Sequence, residues 1–353
     1  MPSNHSSTTT HAPSPNTIGD LAALWQRGTQ FLGCRYAIMG GAMTWVSERH
    51  LVAAISNAGG FGVLASGSMT PDLLRAEIQA TKALATQPFG VNLIVMSPHL
   101  AGLAAVCVEE NIGHVVLAGG TPPQAVIKQL KDGGCRVIAF APALVLAKRL
   151  ISHGVDALVI EGAEAGGHIG AVSTNVLAQE ILPQISEVPV FVAGGIGRGE
   201  AILAYLEMGA AGVQLGTRFV CASESIAHPN FKQAFIRAHA RDAMPSVQVD
   251  ERFPVIPVRA IANQASQRFT AWQRQVIDRY QGGELDLKAA QLEIEHFWAG
   301  ALRRAVIDGD VENGSLMAGQ SVAFVTREQP VTEIFAELLS QTTIAMTARR
   351  ATE

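Results

Sequence analysis

The chain has 353 residues, is 48% hydrophobic and carries 26 Lys and Arg against 30 Asp and Glu, for a formal net charge of −4. This length and apolar content allow a large core and exclude a disordered or fibrous class for most of the chain. The small negative charge offers no basic surface for nucleic acid or an anionic membrane, so we expect neither partner. We therefore expect an enzyme acting on a small molecule.

Residues 1–17 are rich in Ser, Thr, His, Pro and Asn, and they lack the basic start and apolar centre of a signal peptide. We predict a disordered tail there. No apolar run reaches the ~18 residues of a membrane helix. The cysteines have no CxxC spacing, so neither a metal site nor a disulfide framework is predicted. The sequence thus indicates a soluble, cytoplasmic protein.

Eight short apolar runs follow one another along the chain, with helical periodicity between them. Near-continuous apolar composition is typical of parallel strands that are covered on both faces. The predicted strands are Tyr36–Gly41, Phe61–Ser66, Pro88–Leu93, His114–Gly119, Arg136–Ala141, Ala157–Gly162, Val188–Gly195 and Gly212–Thr217. Eight strand–helix units predict an α/β fold, a TIM (β/α)₈ barrel, and a doubly wound open sheet is the alternative.

After the eighth strand the pattern changes to helices with polar interruptions. We therefore divide the chain into a barrel at 30–241, a helical lid at 242–325, and a C-terminal helix and tail at 326–353. Segments Phe269–Tyr280 and Leu287–Arg304 could cover the carboxyl end of the barrel. A helical oligomerisation arm, which would make the protein a homodimer, is the alternative. The glycine-bracketed loop Gly314–Gln320 favours the lid, because it resembles a ligand contact.

The loop Glu161–Gly170 follows the sixth predicted strand and carries His168 among glycines. Loops at the carboxyl ends of parallel strands are where α/β enzymes keep their chemistry. Histidine is the side chain whose ordinary pKa lies nearest physiological pH. We predict that His168 is catalytic, and a purely structural histidine is the alternative.

Glycines also end the seventh and eighth strands, in Ala193–Gly197 and Leu215–Arg218. Barrels commonly bind phosphate between these two loops. We therefore predict a phosphate-bearing cofactor at this place. The alternative is that the glycines only form turns and bind no ligand. Asn92 is a polar residue within an apolar strand, and its buried amide needs partners, from a cofactor ring or from backbone. Ala42, Met43 and Trp45 follow the first strand and would contact a planar ring or serve core packing.

The motifs Ile55–Gly62, Pro88–Asn92, Glu161–Gly170, Ala193–Gly197 and Gln214–Phe219 together resemble the FMN-dependent nitronate monooxygenase superfamily. The superfamily includes the flavin-dependent enoyl-acyl-carrier-protein reductase II, and the resemblance covers about residues 30–330. It implies a TIM barrel, non-covalent FMN and a catalytic role for His168. The flavin contacts that it implies are Ala42, Met43, Asn92, Gly166, Gly167, Gly194, Gly195, Gly216 and Thr217. From their loops we add Glu161 and Gly197 as predicted cofactor contacts.

Four further segments resemble the reductase subgroup: Met43–Val46, Gly216–Asn230, Val258–Gln264 and Gly309–Gln320. This resemblance implies a small-molecule or acyl-carrier 2-enoyl thioester substrate, NADH or NADPH as co-substrate, and substrate contacts at Trp45, Met317 and Gln320. Many nitronate monooxygenases have Ala-Pro-Met where this chain has Gly41-Ala42-Met43. The second hypothesis is a nitronate monooxygenase that oxidises alkyl nitronates with O₂. The third is a flavin-free barrel that binds a metabolite and regulates a partner.

Overall fold

The computed structural model describes residues 15–250 and 256–351. Its strands are β1 Ile38–Gly40, β2 Val63–Ala65, β3 Gly90–Ile94, β4 His114–Ala118, β5 Arg136–Phe140, β6 Ala157–Glu161, β7 Gly167–His168, β8 Val190–Ala193, β9 Gly212–Leu215, β10 Ala243–Pro245 and β11 Val258–Ile261. Its helices are α1 Pro15–Leu24, α2 Gln26–Leu32, α3 Arg49–Asn57, α4 Pro71–Leu84, α5 Leu100–Glu109, α6 Gln124–Asp132, α7 Leu144–Ser152, α8 Thr174–Ile181, α9 Gly199–Glu207, α10 Thr217–Val220, α11 Pro229–Arg237, α12 Gln264–Gln281, α13 Leu287–Val306 and α14 Val331–Arg350.

Eight parallel strands form the central barrel, in the order β1-β9-β8-β6-β5-β4-β3-β2. The ring closes between β1 and Phe61, two residues before β2, since Met39 pairs with Phe61 in parallel. Each strand of the barrel lies within or overlaps one predicted apolar run, and its central residues are buried, as the absence of alternation indicates. The three strands of the smaller sheet, β7, β10 and β11, lie outside the predicted runs. The TIM barrel is confirmed, and the open-sheet alternative is wrong because the strands close on themselves.

Helix α2 closes the amino-terminal mouth of the barrel. The Phe31 carbonyl accepts a hydrogen bond from His114 Nε2 at 2.8 Å and another from the Arg136 guanidinium, and these two residues begin β4 and β5. Burial lowers the pKa of His114. With this mouth closed, the carboxyl ends of the strands are left for a ligand.

The predicted tail differs from the structure at its end. Residues 1–14 lie outside the described residues, but helix α1 begins at Pro15, inside the predicted 1–17 segment. Proline favours a first helical turn because its φ is fixed and it has no N–H to leave unpaired. Helix α1 packs on α14 and is linked to it by the ion pair of Asp20 with Arg350.

The predicted barrel boundary at 241 also differs, because the last helix belongs to the barrel. Helix α14 packs against α9 and α3, and its Ile334, Phe335 and Leu338 lie in the barrel's hydrophobic core. It thus takes the place of the helix that follows the eighth strand, β9. Residues 216–330, which we call the inserted region, therefore lie between that strand and its helix.

The inserted region has a hydrophobic core of its own, formed by Val258, Phe269, Val276, Ile277, Ala290, Ile294 and Trp298. The rings of Phe269 and Trp298, from α12 and α13, lie with their centroids 4.1 Å apart. A small sheet in the order β10-β11-β7 connects this region to the barrel loop that follows β6. Its action as a lid stays a prediction. No helix in the described ranges is long and apolar enough to span a membrane.

Candidate active site at the carboxyl end of the barrel

A cavity of about 640 Å³ lies at the carboxyl ends of the strands, with α13 forming part of its wall. Small-molecule and cofactor sites typically have volumes of about 300–1,000 Å³. The cavity brings together twelve of the residues predicted for the site: Ala42, Met43, Asn92, Glu161, Gly166, Gly167, His168, Gly194, Gly195, Gly216, Thr217 and Met317. Residues that are distant in sequence therefore share one wall, as the resemblance implies.

The turn after β8 keeps its backbone open to the cavity. Gly194 has φ +96° and Gly195 φ +72°, in the left-handed region that favours glycine. A Cβ at Gly195 would lie 3.0 Å from Glu164 Cβ, and one at Gly194 would lie 3.0 Å from Thr174 Oγ1. A larger residue at either position would therefore strain the turn and press on Thr174 or Glu164. This arrangement suits the close approach of a phosphate group.

Two buried carboxamides line the cavity from opposite parts of the barrel. Asn92 on β3 is 3% exposed, and its Nδ2 donates to the Val116 carbonyl at 3.1 Å, which leaves Oδ1 without a donor among the described residues. Gln214 on β9 is 8% exposed, and its side chain has no hydrogen-bond partner within the same ranges. Because buried amides that lack partners are costly, both fit contacts to a polar ring edge. Sequence reasoning missed Gln214, although it interrupts an apolar strand as Asn92 does.

His168 lies in a loop that pairs with the inserted region. It is opposite Val258 in the antiparallel pairing of β7 with β11, and the next residue, Ile169, donates its N–H to the Pro257 carbonyl at 2.9 Å. The backbone on both sides of the imidazole is thus held by a strand outside the barrel. This position leaves the partly buried side chain on the cavity wall.

Glu161 ends β6 and lines the same cavity. Burial raises the pKa of its carboxyl from 4.5 to about 8, and the charge of nearby His168 opposes part of this shift. The carboxyl is therefore mostly protonated at neutral pH. A neutral carboxylic acid can donate a hydrogen bond, which a carboxylate cannot.

The Glu161 pKa gives a stability prediction. The folded protein keeps a proton that the unfolded chain releases between pH 4.5 and about 8, so the stability contributed by Glu161 falls as the pH rises through this window. Without FMN, the melting temperature of the Glu161→Gln variant should exceed that of the wild type by an amount that grows from pH 5 to pH 8. Calorimetry at several pH values tests this. The exposed Glu180→Gln variant is the control, and a pH-independent difference for Glu161→Gln would contradict the prediction.

Three residues predicted for the site do not line the cavity. A Cβ on Gly197 would lie 2.1 Å from Phe324 Cδ2, so this glycine provides close packing. Trp45 lies against α13, with the Arg303 guanidinium 5.9 Å from its ring centroid. Its Nε1 is buried, its backbone is left-handed with φ +69°, and its side chain packs against the barrel core, which is the second of the two roles considered for it. Gln320 donates its backbone N–H to the Glu164 carbonyl at 2.9 Å, which joins two loops.

Two further residues near the site, Glu164 and Met317, make contacts within the protein. Glu164 accepts hydrogen bonds from Thr174 N at 2.8 Å and Thr174 Oγ1 at 2.9 Å, at the start of α8. Met317 pairs with Ala260 of β11. Sequence reasoning missed five cavity residues on α13, namely Leu292, His296, Trp298, Leu302 and Val306. The helical periodicity was visible, but the face turned to the barrel depends on tertiary packing.

Among the residues that the structure describes, no group of three or more His, Cys, Asp or Glu side chains could hold a metal ion. The site is therefore described by its glycine turns, the carboxamides of Asn92 and Gln214, and the pair of Glu161 and His168. These features match the motifs that carried the resemblance.

The family model described as nitronate monooxygenase matches residues 26–117 and 103–341. The chain belongs to the nitronate monooxygenase family. This protein is therefore an enzyme, an oxidoreductase.

Three similar proteins indicate how activities vary within this fold. FabK from Thermotoga maritima superposes with a TM-score of 0.82 at 34% identity, over 93% of this chain and 99% of that one. A nitroalkane oxidase from Streptomyces ansochromogenes superposes with a TM-score of 0.75 at 26% identity, over 91% of this chain and 99% of that one.

The third similar protein is known from its sequence. It is a hydroxy-methyl-oxo-octahydroindene-carboxyl-CoA dehydrogenase from Mycobacterium tuberculosis, 34% identical over 224 residues. The match covers 63% of this chain and 63% of that relative, less than two thirds of either.

Proposed function

We propose that this protein is an FMN-dependent oxidoreductase that reduces the C2–C3 double bond of a 2-enoyl thioester with NADH or NADPH. The observation that carries the proposal is the likeness to FabK, an enoyl-ACP reductase II, which extends over 93% of the chain and so includes the inserted region. The Mycobacterium tuberculosis relative is named for an acyl-CoA thioester. Two similar proteins thus point to thioester chemistry.

The residues of the cavity fit FMN. Gly194, Gly195 and Gly216 line the cavity and would receive the phosphate, and the left-handed backbone of Gly194 and Gly195 favours glycine in this turn. The carboxamides of Asn92 and Gln214 would meet the polar edge of the ring system. When bound, FMN supplies the transfer of hydride between the nicotinamide and the thioester.

His168 and Glu161 supply the proton chemistry of this proposal. Addition of hydride at the β-carbon of an enoyl thioester leaves charge on the α-carbon and the thioester oxygen, and His168 would give a proton to the α-carbon. Burial keeps the Glu161 carboxyl protonated, so it would donate a hydrogen bond to a neighbouring acceptor and would not place a second charge in the cavity. The surrounding apolar side chains would exclude water during these steps.

The proposal predicts anaerobic oxidation of NADH or NADPH that depends on crotonyl-CoA and yields butyryl-CoA in equal amount. The protein loaded with FMN is mixed with the nicotinamide, the absorbance loss is followed, and the product is identified by mass spectrometry. Butyryl-CoA in place of crotonyl-CoA is the control and should give no absorbance loss. Absence of thioester-dependent oxidation with either nicotinamide, for short and long enoyl chains alike, would overturn the reductase proposal.

A nitronate monooxygenase is the second candidate, favoured by the family model and by the likeness to the nitroalkane oxidase. Such an enzyme needs no nicotinamide. It would consume O₂ when an alkyl nitronate is added, and His168 would bind the anion or act as a base. An oxygen electrode separates the two candidates, since only this one predicts rapid nitronate-dependent oxygen uptake.

A further inference from the structure

Arg259 of β11 is a buried arginine that makes no ion pair with an Asp or Glu of residues 15–250 or 256–351. It is 7% exposed. Burial lowers the pKa of its guanidinium, and the charge of nearby Glu164 opposes this shift. A guanidinium without a paired carboxylate is costly to bury, so it calls for a role that offsets this cost.

The hydrogen bonds of Arg259 go to backbone carbonyls of two separate segments. Its Nε donates to the Ala163 carbonyl at 2.9 Å, and its Nη1 donates to the Ala243 carbonyl at 2.5 Å. Its own backbone lies opposite Gly167 in the pairing of β11 with β7. Arg259 therefore holds the loop after β6 at two points, of which one adjoins His168, and it ties that loop to β10.

We propose that Arg259 is a positioning residue, which fixes the loop carrying His168 to the inserted region. This inference rests on the proposed function, because it takes His168 as the group that handles the proton. Arg259 is not among the residues that line the cavity, so it acts on the reaction through the loop and not by contact. A displacement of a catalytic group by about 1 Å can lower a rate by about 10²-fold.

The geometry calls for arginine and not for any cation. A guanidinium presents its N–H donors in a rigid plane, so it can reach Ala163 and Ala243 together, whereas a lysine ammonium is a single point with a flexible stem. We therefore expect Arg259→Lys to keep the charge but lose one carbonyl contact. Arg259→Met keeps a similar stem and loses both.

The test measures kcat, KM and FMN affinity, together with amide hydrogen exchange in residues 161–170, for both variants. Each is loaded with FMN, and kcat is expressed per bound flavin. We expect Arg259→Met to lower kcat by about 10²-fold, with KM and the FMN dissociation constant within about 3-fold of wild type. Arg259→Lys should fall between. The matched control is Arg241→Met, whose side chain is 85% exposed and whose loss should change none of these.

Hydrogen exchange separates this inference from the proposed function, because it needs no substrate. In the Arg259→Met variant, the amide hydrogens of residues 163–169 should exchange about 10-fold faster or more, while those of residues 193–197 should exchange at the wild-type rate. Unchanged exchange in 163–169, or an unchanged kcat per bound flavin, would overturn the positioning role. If the wild type reduced no enoyl thioester, the proposed function would fail, and the exchange result would still decide whether Arg259 holds the loop.

Discussion

Replacing His168 by alanine should lower kcat by about 10²- to 10⁴-fold while the protein keeps its fold and its FMN, since general acid–base groups contribute rate effects of this size. The imidazole lies on the cavity wall, and the loop around it is held by backbone pairing with β11 that alanine preserves. Steady-state kinetics with crotonyl-CoA and NADH gives kcat. Flavin absorbance and thermal melting report whether cofactor and fold are intact.

The matched control for this substitution is His50→Ala, because His50 is an exposed histidine of α3 that does not line the cavity. Its turnover should stay within about 2-fold of wild type. Near-normal turnover of the His168→Ala variant with every active substrate would make His168 a structural residue, and the proton would have to come from another group.

Replacing Gly195 by valine should weaken FMN binding by about 100-fold or more. The backbone there has φ +72°, which a β-branched residue strongly resists, and a Cβ would lie 3.0 Å from the Cβ of Glu164. The turn would have to move, and its amides would no longer meet a phosphate. Quenching of flavin fluorescence on titration with FMN gives the dissociation constant.

Gly154→Val provides the control for backbone strain. Gly154 also has a left-handed backbone, with φ +94°, but nothing lies within 4 Å of the Cβ that would be added, and it lies outside the cavity. Its valine variant should lower the melting temperature and leave FMN affinity unaltered. Equal FMN affinity of the Gly195→Val variant and the wild type would show that the glycine turn has only a structural role and that the phosphate binds elsewhere.

The barrel could be predicted from sequence because its signal is local. Each strand is a short apolar run that needs cover on both faces, and β3, β6 and β8 lead directly into the motifs that line the cavity. His168 and Gly195 were found because a loop at the carboxyl end of a parallel strand faces the ligand side of the fold.

The residues that escaped prediction depend on contacts between distant segments. Trp45 follows Met43 and Thr44, which line the cavity, yet its backbone is left-handed and its ring centroid lies 5.9 Å from the Arg303 guanidinium of α13. No local pattern encodes such a turn at a tryptophan. His296 likewise belongs to an amphipathic helix whose orientation is set only when that helix packs on the barrel.

The position of α14 has a consequence for how the chain acquires its structure during synthesis. The helix that covers α9 and α3 leaves the ribosome after the whole inserted region, although it packs in the core built by strands made much earlier. Until residues 331–350 emerge, the nascent barrel exposes the apolar surface that Ile334, Phe335 and Leu338 later bury. The nascent chain therefore has an uncovered apolar surface during most of translation, a condition that favours aggregation of partly folded chains.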